Sequence, residues 1–317
     1  MSSLSNIQQI VQQVCTPLSI NTFLIHLIVH KSPKKLGVYK YLMIYIDLFE
    51  MLYSILDLIA APDFYSYDSM YLVITSSDKI LVPKWFQKVL TTLLCSMFGV
   101  SMAMFGIHFV YRFLVVSGNR YLKTLSSDKF AVWFVFPVFY GLVWAAVISV
   151  TLSPNNYTDQ VLINSYLIHR SLSTTDISYL GPNYWITINN GNPILNLSYF
   201  VGMSLIFIMV TISILTMFVF ATLSYRKMGT LVEVTNNSKQ YRSLQLQLLN
   251  SLVAQALIPA ILMQEPSCIV FSAPFFHKGT ELLGGILGIT VSLYPVLDPL
   301  PTMFVIKHYR NAILSEL

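Results

Sequence analysis

Apolar runs long enough to cross a bilayer, separated by shorter polar stretches, set the pattern of this chain. The most telling run is 94–116, LCSMFGVSMAMFGIHFVYRFLVV; a bilayer crossing takes about 20 such residues. Within it Ser101, Phe105, His108 and Arg112 recur at helical spacing and share one face. Lipid satisfies neither an imidazole nor a guanidinium, so that face should meet other helices; the competing reading makes Arg112 an anchor that snorkels to water. The same pattern gives seven spans, at 7–30, 41–60, 86–116, 131–152, 199–223, 244–271 and 282–306. The first is the weakest, with Gln8, Gln9, Gln12, Gln13, Pro17 and Asn21. In the second, Asp47, Glu50 and Asp57 fall within about 80° of one another at helical spacing, a carboxylate stripe that must face the bundle or a water-filled cavity. Pro259 interrupts the sixth and leaves the Gln255 carbonyl without its donor, which predicts a kink. The seventh carries Pro295, Asp298, Pro299 and Pro301. Residues 61–83 and 153–195 read as polar loops, and 307–317 as a short tail. The expected fold is an all-α membrane protein, one seven-transmembrane helix bundle over 1–317, without internal repeats.

Composition supports a multi-span protein. Of 317 residues, 55% are hydrophobic and 10% charged, against about 25% charged in soluble domains, and mean hydropathy is +0.64. The net charge of +5 is scattered between apolar runs, which does not suggest nucleic-acid binding. Cys15, Cys95 and Cys268 all lie in apolar segments, so neither a disulfide framework nor a zinc site is expected; no metal and no cofactor is implied. The N-terminus lacks the basic region and cleavage site of a signal peptide and is expected to remain as the first span.

The basic residues orient the bundle. Lys31, Lys34, Lys35, Lys40, Arg112, Arg120, Lys123, Lys129, Arg226, Lys227, Lys239, Arg242, Lys307 and Arg310 fall on the side of the C-terminus, and only Lys79, Lys84, Lys88, Arg170 and Lys278 on the other. The positive-inside rule then puts the N-terminus outside and the C-terminus in the cytoplasm, the arrangement of G-protein-coupled receptors. Sequons at Asn156 and Asn196 would be extracellular; the one at Asn236 would be cytoplasmic and unmodified.

Several stretches resemble the nematode serpentine chemoreceptors of the str class: 32–45 with the YSILDLI that follows, FGVSMAMFGIHFVYRFLVV, LQLQLLNSLVAQALIP, and above all YPVLDPLPT at 294–302 followed by VIKHYR at 305–310. The resemblance runs from about 32 to 312. It implies a plasma-membrane receptor of sensory cilia. Such a receptor detects a small volatile or soluble organic ligand and acts through a heterotrimeric G protein.

Within that frame, Tyr111-Arg112 occupies the place of the Asp-Arg-Tyr motif of rhodopsin-like receptors, but with no acidic neighbour. Tyr111, Arg112, Lys239 and Arg242 are the candidate G-protein-coupling residues. Asp47, Glu50, Asp57, His108 and Asp298 are the candidate buried polar network, with Asp47 and Asp298 sharing a water or ion site; Asp298 as a local cap of a kinked helix is the competing reading. The ligand pocket is expected from Thr92, Cys95, Ser96, Met203, Phe207, Gln264, Glu265, Cys268 and Thr290, entered from outside. Pro259, Pro295 and Pro299 are candidate hinges. An ion channel or transporter using the acidic stripe is the alternative reading, opposed by the absence of repeats and paired half-helices. No HExxH or meaningful Ser–His spacing suggests an enzyme.

Overall fold

The computed structural model describes residues 2–33, 36–79, 82–118, 127–170, 172–187, 192–230 and 238–316, without the side chains of 2–14, 127–130, 230, 238–240 and 316. Helices occupy every expected span. The first four are Ser2–Lys31, Tyr39–Ala60, Lys84–Val116 and Ser127–Thr151, and the fifth is Leu197–Thr230. Five helical segments among the described residues are long and apolar enough to cross a membrane by length and composition: the third to the seventh. The first helix is diluted by its glutamines and the second by Lys40 and its three carboxylates. The third is the hub. It packs on the second, fourth, fifth and sixth helices, and most of it, from Leu90 to Arg112, is buried.

The sixth span runs as Ser238–Pro259, then a wider π turn at Ala260–Gln264, then Glu265–Ser272. Regular α-helix thus stops at Pro259, where the backbone donor is missing. The seventh breaks at Asp298 into Glu281–Leu297 and Pro299–Val305. Residues 307–316, expected to be a plain tail, form a further helix, Lys307–Glu316. Its Tyr309 is fully buried, and its hydroxyl lies 2.7 Å from that of Ser32 after the first helix.

Both long polar segments are structured, which corrects the loop reading. Residues 61–83 contain the antiparallel hairpin β1 (Asp63–Tyr67) and β2 (Met70–Ser76), and 153–195 contain a short helix, Asn156–Leu162, and β3 (Ile177–Leu180), which pairs with β2. A second small pair, β4 (Trp185–Thr187) and β5 (Pro193–Leu195), follows. Every residue of β2 is buried. Tyr71 and Val73 point into the helical core, while Met70, Leu72 and Ile74 pack with Leu162 and Tyr166 of the overlying segment. A strand sandwiched between two layers needs both faces apolar. The uninterrupted run MYLVIT was the signal for it, masked by the flanking Tyr, Ser and Asp. The three-stranded sheet roofs the end of the bundle opposite the Lys307–Glu316 helix.

Asp63 pins this roof. Its carboxylate accepts from Lys79 Nζ at 2.7 Å, Tyr166 Oη at 2.6 Å and Arg170 Nη1 at 2.6 Å. Burial alone would raise the Asp63 carboxyl, but the hydrogen bonds and positive charges around it hold it below its ordinary value. The linkage sign follows. A carboxylate depressed on folding contributes stability above its unfolded value of about 4, and that contribution is lost as pH falls through the folded value. Amide protection across 63–76, meaning exchange rates divided by their own intrinsic pH dependence, should therefore be flat near neutrality and fall below about pH 4. Asp63→Asn should exchange faster at neutral pH and lose the acid step; an unchanged acid step in that variant would rule out Asp63 as its source.

Candidate functional site

Two sites lie at opposite ends of the third helix, with a polar cluster beside its middle. At the end away from the sheet, Arg112 is among the largest fully buried side chains. Its Nη1 donates to Gln245 Oε1 of the sixth span at 2.9 Å, and its guanidinium lies 4.2 Å from the ring centre of Tyr39 on the second. Tyr39 is in turn stacked on Tyr111, with ring centres 5.6 Å apart. No ion pair among the described residues includes Arg112, and Nε and Nη2 have no partner among them. The acidic neighbour absent from the sequence motif is thus replaced by an aromatic face and an amide, so the cation is held by its attraction to π electrons and one charge-assisted bond. His108 belongs here and not with the carboxylates: its ring is edge-on to Tyr39, with Nδ1 3.5 Å from the phenol oxygen. Arg242 is half-buried, and the side chain of Lys239 lies outside the described residues, as does the sequon at Asn236. Tyr39 and Gln245 are invisible to sequence reasoning, since each meets Arg112 across more than 70 positions of chain.

In the middle, Asp47, Glu50 and Asp298 are all buried. Gln255 Nε2 donates to Asp298 Oδ2 at 3.2 Å, and Tyr294 Oη lies 3.5 Å from Glu50 Oε1. Pro299 cannot donate to the Pro295 carbonyl one turn back, and Asn21 of the first helix takes that carbonyl at 3.1 Å. The proline-rich seventh span is thereby tied to helices one, two and six. Asp57 stands apart from this cluster and is only half-buried. Among the described residues no three His, Cys, Asp or Glu side chains are disposed to hold a metal ion.

Under the sheet lies a cavity of about 740 Å³, its mouth included. Helices two to seven wall it with Tyr53, Leu94, Phe98, Trp144, Met203, Met263 and Val291, among others, and Tyr71, Val73 and Leu180 form its ceiling. Cys95, Ser267, the two tyrosines and the indole of Trp144 are the polar-tipped side chains in an otherwise apolar lining. Of the nine residues expected to form a pocket, Cys95 and Met203 line this cavity. Phe207 lines a neighbouring groove. Thr92 and Ser96 return their hydroxyls to their own helix, as does Thr290. Gln264 lies against Met102 Sδ at 2.8 Å, and Glu265 and Cys268 are exposed on the outside of the bundle. Helical facing explains the misses: the kinked sixth span turns Met263, Ser267 and Phe271 inward, and Glu265 and Cys268 fall on other faces.

Residues 6–314 match the model of the family described as serpentine type 7TM GPCR chemoreceptor Str. The chain belongs to this family of serpentine seven-transmembrane receptors. Among similar proteins, G-protein coupled receptor str-217 of Caenorhabditis elegans is 31% identical, with 97% of this chain and 89% of that one covered. Serpentine receptor class r-10 of Caenorhabditis briggsae is 26% identical over 93% and 85%, and G-protein coupled receptor str-33 of C. elegans 25% over 95% and 87%. The protein is therefore a multi-pass membrane receptor of the GPCR type, from a family that is not one of enzymes. In this receptor the cavity, the carboxylate cluster and the Arg112 cage are strung along one side of the third helix, so the hub of the bundle connects all three.

Proposed function

We propose that this receptor binds a small, uncharged organic ligand in the cavity beneath the sheet and signals to a heterotrimeric G protein at the end that bears Arg112. In this reading the N-terminus and the sheet face outward and the C-terminal helix lies in the cytoplasm, which the basic-residue bias supports; the working location is the plasma membrane of a sensory cilium. The observation that carries this reading is a buried arginine that, among the described residues, is held by Tyr39 and Gln245 and by no carboxylate, at the opposite end of the helix that walls an apolar cavity. Ligand shifts the bundle only as far as it binds the active arrangement better. Movement of the sixth span about the π turn after Pro259 would withdraw Gln245 from Arg112 and open the inner end of the bundle. The freed guanidinium can then donate to backbone carbonyls of an inserted G-protein segment.

The test is a calcium response in cells expressing the receptor with a promiscuous Gα subunit, against a panel of small volatile and soluble compounds. Ser267→Phe, which fills the cavity, should raise the half-maximal concentration of any active compound at least about tenfold, the equivalent of losing 1.4 kcal/mol of binding, with surface staining unchanged. A response that persists without any G protein would instead identify a channel.

A further inference from the structure

The roof over the cavity is densely packed. All of β2 and β3 is buried. Gly181, at φ +150°, rests on the Tyr71 carbonyl so closely that a Cβ would overlap it. Tyr184 Oη and Trp185 Nε1 donate to the Phe271 and Phe275 carbonyls at 3.0 and 2.8 Å, fastening the segment after β3 to the sixth span.

The side wall is different. The fifth helix packs closely on the third and fourth, but it meets the outer part of the sixth span through aromatic rings, Phe207 edge-on to Phe271 at 6.4 Å between centres and Phe200 tilted on Phe275 at 6.0 Å. Between them runs a groove of about 440 Å³, walled by Phe200, Ser204 and Phe207 on one side and Phe271, Phe275 and Phe276 on the other. It opens on the outer surface of the bundle, where the apolar rings of Phe200 and Phe276 are exposed. Met203 and Phe271 line both this groove and the cavity, so two side chains separate them. One is an unbranched methionine, which changes shape at little cost.

From this geometry we infer that the ligand enters laterally from the bilayer, through the groove between the fifth and sixth spans, with Met203 and Phe271 as the gate. This inference rests on the proposed ligand cavity and narrows the ligand class to apolar molecules that partition into membrane. Each added methylene enriches such a molecule in the bilayer about fourfold, so the bilayer concentrates it at the mouth of the groove. This route differs from the entry from outside that the sequence suggests.

Cys95, in the cavity wall, reports access without any agonist. The experiment labels it in a full-length Cys15→Ser/Cys268→Ser receptor on whole cells, with N-phenylmaleimide as the membrane-soluble probe and a trimethylammonium methanethiosulfonate as the impermeant one. N-phenylmaleimide should modify Cys95 and the charged reagent should not. Ser204→Trp, which obstructs the groove without lining the cavity, should slow the maleimide reaction at least tenfold, and Phe275→Ala, which widens it, should speed it. Equal labelling by the charged reagent, no labelling by N-phenylmaleimide, or rates indifferent to both substitutions would overturn lateral entry. Since labelling needs no signalling, a receptor that labels as expected yet answers no compound would count against the proposed function and leave the portal standing.

Discussion

Arg112→Ala should abolish ligand-evoked signalling while the receptor still reaches the cell surface. The two halves of this expectation have separate physical grounds. Arg112 is the buried cation at the inner end of the hub helix, and its resting contacts are one bond to Gln245 and the face of Tyr39. Alanine removes the group that would bind the G protein. It also removes a charge whose burial costs several kcal/mol in its own right, which offsets the lost contacts, so folding should survive. Tyr39→Leu and Gln245→Leu should act in the opposite direction. A desolvated cation–π contact is worth about 2 kcal/mol and a hydrogen bond to a charged group about 1.5–3 kcal/mol. If either is made only at rest, its loss moves the resting-to-active ratio by roughly tenfold or more, at 1.4 kcal/mol per decade. Ligand-independent calcium or cAMP signalling should rise accordingly, whereas Tyr39→Phe, which keeps the ring, should stay near the parent. Normal signalling from a well-expressed Arg112→Ala receptor, or a silent but well-expressed Tyr39→Leu, would refute the cage as the resting lock.

Gly284→Val should largely remove the receptor from the surface, with Gly285→Ala harmless beside it. β1 lies directly on the seventh span, and a Cβ on Gly284 would overlap the carbonyl of Phe64. The obstacle is backbone, held in a ladder with β2 by the Phe64–Val73 pairing, so it has no rotamer to escape into. Overpacking costs about 1–3 kcal/mol even where side chains can yield; here the roof must lift, exposing Leu72 and Ile74, both essentially buried. Against a total stability of about 5–15 kcal/mol this is a large fraction. Gly285 has open space at its Cβ, and alanine in a helix interior is preferred over glycine by up to about 1 kcal/mol. Surface staining and the melting temperature of purified receptor read both. Equal expression of the two variants would show that the sheet is not seated on the seventh span.

What the amino-acid pattern determined alone is what a bilayer demands alone. Hydrocarbon requires long apolar runs, so the helices over 86–116, 131–152 and 199–223 were legible, though Leu197–Thr230 extends beyond its apolar part because a helix continues past the bilayer for as long as local propensity allows. Hydrocarbon also rejects charge, so Asp47 and Glu50 could be read as facing the bundle, although Asp57 of the same stripe is only half-buried and position alone left Arg112 either buried or a snorkelling anchor. The break after Pro259 followed from a missing donor, a property of one residue.

Tertiary structure decided everything that depends on a partner distant in sequence. Nothing local marks Tyr39 and Gln245 as the neighbours of Arg112, or Asn21 as the donor to the carbonyl left free by Pro299; their meeting depends on how helices one, two, six and seven rotate and pack. The same rotation moved His108 away from the carboxylates and turned Glu265 outward, since a helical face is defined by spacing but its neighbour is not. The roof escaped notice for a related reason. A strand buried on both faces shows no alternation, and the stretch over 70–76 becomes intelligible only once the bundle beneath it and the Asn156–Leu162 helix above it are both in place.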